Sequence, residues 1–170
     1  NRFEEFVADG LLQRLEGNHI AIYRQTTPTS SCTGVVGTLA VESIRSGRLK
    51  VHEQTLQKRE RLFAKYLNTV GCHAEPILCI FPDQDAPGRA TQQCIDAWIQ
   101  NHSPEIDFST TDRIRHTVWI VGEIASLEIS DAMENVSSMY LADGHHRVAS
   151  SLILSEKFPQ DSAKQHVLTF

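Results

Sequence analysis

Hydrophobic positions along the chain change their period several times, and each change marks an element. Phe3, Phe6, Val7, Leu11, Leu12 and Leu15 fall at helical spacing, which predicts an amphipathic helix over 3–15, interrupted or bent near Gly10. His19 to Gln25 (HIAIYRQ) alternates and is rich in β-branched and aromatic residues, which predicts a strand with a polar Tyr23-Arg24-Gln25 tip. The Ser/Thr/Pro-rich stretch 26–33 reads as a mobile hairpin loop, and Gly34 to Val41 as its antiparallel return strand. The chain then turns through Ser46-Gly47 within 44–51 to a second polar tip, His52-Glu53. Residues 55–70 predict a strongly charged helix, with Leu56, Leu62, Phe63, Tyr66, Leu67 and Val70 on its core face.

The second half alternates more regularly. Pro76 to Phe81 (PILCIF) is a continuous apolar run and predicts a buried strand; 83–89 reads as a loop and 91–100 as a helix carrying Trp98. A strand over 117–121 (TVWIV), a helix over 124–135, a short buried strand over 139–142, a helix beginning near Val148 and a last strand over 166–170 complete the pattern. Interleaved strands and helices around one early hairpin predict an α/β fold, with α+β the other open arrangement: a mixed sheet with flanking helices. No internal repeat interrupts residues 1–170, which read as a single domain, and the apolar strand running to Phe170 predicts the central part of a longer protein.

Composition narrows the function classes. The formal charge of -5 gives no global basic field, so direct nucleic-acid binding by this segment is not expected. No apolar run reaches the roughly 18–20 residues of a membrane span, and the start, Asn1-Arg2-Phe3-Glu4-Glu5, has no signal-peptide core. Cys32, Cys72, Cys79 and Cys94 are scattered without a Cys-x-x-Cys pair, which predicts free thiols and a cytoplasmic location.

The chemistry concentrates in Asp143-Gly144-His145-His146-Arg147, between a predicted strand and a predicted helix. In the ordinary alternative Asp143 caps that helix and the rest faces solvent. In the functional reading the open N–H groups of residues 144–147 cradle an anion, Arg147 clamps it as a bidentate fork, and Asp143 holds a metal ion or a proton. A second cluster, His52-Glu53, supplies a candidate general base in Glu53 beside a proton-sharing His52. It is not the zincin pattern, since position 56 is Leu. Arg24 at the strand tip is a further candidate phosphate ligand. Lys58 and Arg61 could reach the His52-Glu53 end, and His116 reads as a structural histidine.

These residues also carry a family likeness. Tyr23-Arg24-Gln25, Gly37, Val41-Glu42, the run Gly47 to Thr55, Lys58, Glu60-Arg61-Leu62, Pro76-Ile77-Leu78, His116 to Trp119 and Tyr140 to Arg147 resemble, in order, the family of domain of unknown function 1015. Glu60 departs from the Asp-Arg step of that pattern. The Asp-Gly-His-His-Arg turn is similar to the phosphate-binding turn of the ParB/sulfiredoxin-like superfamily, which includes nucleotide hydrolases and a free-serine kinase. The resemblance implies a ParB/sulfiredoxin-like sheet and nucleotide phosphates on Gly144, His145, His146 and Arg147.

The leading expectation is therefore a nucleotide-dependent phosphotransferase acting on a small hydroxyl compound such as serine. Its cofactor is Mg²⁺ with ATP or ADP, with Asp143 as the metal carboxylate, Glu53 and His52 in the acid–base role, and no transition metal. Two alternatives remain open: a nucleotide-gated binding protein of the ParB kind, and a metal-dependent hydrolase using His52, His116, Asp143, His145 and His146.

Overall fold

The computed structural model describes residues 2–53 and 55–170; Asn1 of the acidic start and Gln54 of the family motif lie outside them. The chain forms helices α1 (Arg2–Ala8), α2 (Glu42–Arg45), α3 (Gln57–Val70), α4 (Ala86–Asn101), α5 (Glu123–Glu134) and α6 (His145–Lys157). Its strands are β1 (Ala21–Thr26), β2 (Ser31–Ala40), β3 (Leu49–Lys50), β4 (Leu78–Ile80), β5 (Ile106–Ser109), β6 (Arg115–Ile120), β7 (Met139–Asp143) and β8 (His166–Thr169). The fold is mixed α/β, as its alternating pattern predicts.

The strands make two sheets. The larger is antiparallel, in the order β5-β6-β1-β2-β8; the smaller, β3-β7-β4, pairs β3 parallel and β4 antiparallel to β7. The end of the chain joins them: Ile77 N–H donates to the Leu168 carbonyl (2.9 Å), Phe170 N–H to that of Ile77 (2.8 Å), and Cys79 N–H to that of Phe170 (2.7 Å). Ile22, Ile95, Trp119, Val121 and Ile129 form one core, where α4 and α5 pack together over the large sheet. A second core of Leu49, Ile77, Met139, Leu141, Val148 and Val167 lies beneath α6, which also packs on α3. Burying such side chains supplies roughly 1.5–3 kcal/mol each, so both cores hold their sheets firmly.

Several expectations are corrected. The first helix ends at Ala8, because Gly10 enters the left-handed region (φ 72°), and Leu11, Leu12 and Leu15 are exposed. The 26–33 loop is a tight turn, in which Thr27 N–H donates to the Ser30 carbonyl (2.8 Å) and β2 already begins at Ser31. Helix α3 buries Ala64, while Leu56, Leu62, Phe63 and Tyr66 are exposed. PILCIF forms a strand at the edge of the small sheet, so Leu78 and Ile80 reach solvent. Helix α4 starts at Ala86, earlier than its hydrophobic period predicts, because Asp85 accepts from Gly88 N–H (2.8 Å) as an N-cap. Strand β5 had no expectation at all.

Candidate functional site at the start of helix α6

Strand β7 runs straight into α6 through one residue. Gly144 stands at the cap position with φ +100°, and a Cβ there would come within 2.8 Å of Ile77 Cγ2. Only glycine fits this crossing without strain. Asp143 is therefore not the helix cap; it ends β7. The first α6 backbone bond runs from Val148 N–H to the Gly144 carbonyl (2.9 Å), so the amides of His145, His146 and Arg147 precede the helical ladder. Amides in this position carry partial positive charge, the physical reason that helix starts attract anions.

His52 and Glu53, which follow β3, come to this same helix start because β3 lies parallel to β7. Glu53 Oε2 stands 3.4 Å from His145 Nδ1, and Glu53 Oε1 3.9 Å from His52 Nε2. The His52 and His145 rings meet edge to face, with centroids 4.7 Å apart. Two clusters 92 positions apart in the sequence thus form one group. His145 is 7% exposed, and its Nε2 has no hydrogen-bond partner; the buried Nδ1 of His146 has none either. A buried polar nitrogen without a partner costs about 1–3 kcal/mol, a cost that persists most readily where a ligand or proton is to be met. A cleft of about 470 Å³, lined by Lys50, Glu53, Thr55, His145, Val148 and Ala149, opens beside the group.

On the opposite side of the turn the charges are already matched. Arg147 donates to the Pro76 carbonyl and pairs with Glu75 (3.0 Å) and Asp143 (3.3 Å). Its fork braces the β7–α6 turn against the segment leading into β4. Ser150 adds a second brace, donating to the Glu60 carbonyl (3.1 Å) and tying α6 to α3, and Phe63 stacks on His146 (6.4 Å between centroids). The Glu60 carboxylate accepts a hydrogen bond from the Thr55 hydroxyl, which ties Thr55 to α3.

Other candidates lie elsewhere. Arg24 donates to Thr33 (2.9 Å) and covers the Trp119 ring (5.4 Å) on the large sheet. His116 Nδ1 pairs with the Tyr23 hydroxyl (2.7 Å), and its ring stacks on Phe108 and Tyr23. Lys58 and Arg61 are exposed on α3. Glu75, Thr55 and Phe63 were not read as site residues. Nothing local marks Glu75, which acquires its place only through the pairing of β4 with β7. The four cysteines are free, and among the described residues no helix is long and apolar enough to cross a membrane.

The fold and this turn define an α/β protein in which the start of α6 meets a His-Glu-His group. The chain belongs to the family described as protein of unknown function (DUF1015), whose model matches residues 1–169. No curated protein and no solved structure matches it.

Proposed function

We propose that the chain is a nucleotide-dependent phosphotransferase acting on a small hydroxyl compound, with the nucleotide phosphates seated on the amides of His145 to Arg147. One observation carries this reading: the Glu53 carboxylate stands 3.4 Å from the ring of the first residue of α6, at the mouth of an open cleft. A base and an anion-binding helix end therefore face one space. The acceptor oxygen attacks the terminal phosphorus, and its bond to the bridging oxygen breaks. The nucleoside diphosphate (from ATP) or monophosphate (from ADP) leaves with the electron pair, and Glu53 takes the hydroxyl proton. Lys50 in the cleft wall and the helix start offset the phosphate charge. Asp143, once released from Arg147, would hold an Mg²⁺ ion brought by the nucleotide, and the ion would offset phosphate charge. Arg147 can join the phosphate only by releasing Asp143 or Glu75; in the resting protein it positions the turn.

Incubating the protein with ATP or ADP, Mg²⁺ and a panel of hydroxyl compounds headed by serine tests the reading by ³¹P NMR. A new phosphomonoester that Glu53→Gln abolishes supports it. Inorganic phosphate as the only product makes water the acceptor and the protein a nucleotide hydrolase. Neither product, with no nucleotide binding, sinks it.

A further inference from the structure

The His-Glu-His group has a property that proton transfer alone does not use. One nitrogen of His52, one oxygen of Glu53 and one nitrogen of His145 all lie within 4.8 Å of one another. The closest contacts to Glu53 use its two oxygens, Oε2 to His145 Nδ1 at 3.4 Å and Oε1 to His52 Nε2 at 3.9 Å. A tetrahedral ion with bonds of about 2.0–2.1 Å holds its donor atoms about 3.4 Å apart, so the group is already close to that spacing. His52 and Glu53 are well exposed, and their side chains can close the remainder by rotation. His145 is fixed: it is nearly buried, sits in the first turn of α6, and turns its Nδ1 toward Glu53. One rigid ligand and two adjustable ones is a workable metal cradle.

We infer that His52, Glu53 and His145 bind one divalent transition-metal ion of the zinc, cobalt or manganese class. Two imidazoles and one carboxylate select such ions over magnesium or calcium, which prefer all-oxygen shells. Three protein ligands leave at least one position open toward the cleft, the arrangement of a catalytic rather than a structural site. The ion's action on a phosphoryl oxygen rests on the function proposed above; the site itself does not. Glu53 can serve both roles, one oxygen binding the ion and the other receiving the acceptor proton. This site is separate from Asp143, whose carboxylate is turned to Arg147.

The test is titration of untagged, chelator-stripped protein with Co²⁺ alone, following its visible absorption bands, then competition with Zn²⁺. The expected result is one Co²⁺ per chain, displaced by Zn²⁺, with affinity reduced about tenfold or more by His52→Ala and by Glu53→Gln. Both residues are exposed, so these variants fold, and His73→Gln serves as a control that keeps full uptake. No Co²⁺ uptake, or uptake that neither variant weakens, overturns the site. Calorimetry with ATP and Mg²⁺ on the same stripped protein separates the two ideas. ATP binding without Co²⁺ uptake removes the ion site and leaves the nucleotide reading standing. Co²⁺ uptake without ATP binding upholds the ion site and removes the nucleotide reading.

Discussion

Two histidines, on the two sheets, show what distinguishes a structural ring from a reactive one. His116 on the large sheet is satisfied: Tyr23 occupies its Nδ1, and Tyr23 and Phe108 stack on its faces. His145 at the small sheet is nearly buried, keeps an unpartnered Nε2, and presents its other nitrogen to a carboxylate in an open cleft. His116 is only half-buried and His145 nearly buried, yet it is the more buried ring that keeps an unpartnered nitrogen. Between these two rings, an unpartnered buried nitrogen rather than histidine itself makes the difference.

The largest expected effect concerns the turn that aims His145. Gly144→Val forces a β-branched residue to positive φ and drives its Cβ into Ile77. Urea denaturation should show a loss of about 2–4 kcal/mol, and a loss below 0.5 kcal/mol would mean the crossing relaxes easily. Next, Glu53→Gln should lower turnover about 10²–10⁴-fold while the denaturation midpoint and nucleotide affinity hold, since the group is exposed and its role is proton transfer. Equal losses in affinity and turnover would instead make Glu53 a binding residue. His116→Phe sharpens the contrast from the other side: it keeps the stacked ring but loses the Tyr23 bond. It should cost about 1 kcal/mol of stability and leave turnover unchanged; a large drop in turnover would bring the large sheet into the site.

A smaller effect follows from His73, whose burial holds its ring below the usual histidine pKa of 6.5. The folded state then resists the proton that the unfolded chain accepts. Stability from this group is complete above about pH 6.5 and is lost as pH falls through that value toward the lower folded pKa. His73→Gln should therefore become more stable relative to the parent at pH 5 than at pH 8 in thermal melts. An unchanged difference would place the acid sensitivity elsewhere.

Local pattern made much of this fold legible. The β1–β2 hairpin follows from alternation around a Thr/Pro/Ser turn, and β7–α6 from an apolar run broken by glycine. Strand β5 escaped because Ile106-Asp107-Phe108-Ser109 is short and wholly exposed, and takes its form from pairing with β6. The first helix was read too long because helical spacing continues past Gly10, while the backbone there does not. In α3 the apolar residues were assigned to a core, yet the small Ala64 makes the close approach. For the site, the dense chemistry of residues 143–147 and of His52-Glu53 was visible in sequence. Their meeting depends on β3 lying parallel to β7, and the engagement of Arg147 by Glu75 on the approach to β4; neither long-range placement leaves a local trace.

The central claim is that phosphate sits on the first amides of α6. Titrating isotope-labelled protein with ATP and Mg²⁺, and following backbone amide shifts by NMR, tests it most directly. The largest changes are expected at His145, His146 and Arg147, with smaller ones at Lys50 and Glu53 and none at His116. Saturable changes centred on the large sheet, or no changes at millimolar ATP, would contradict it.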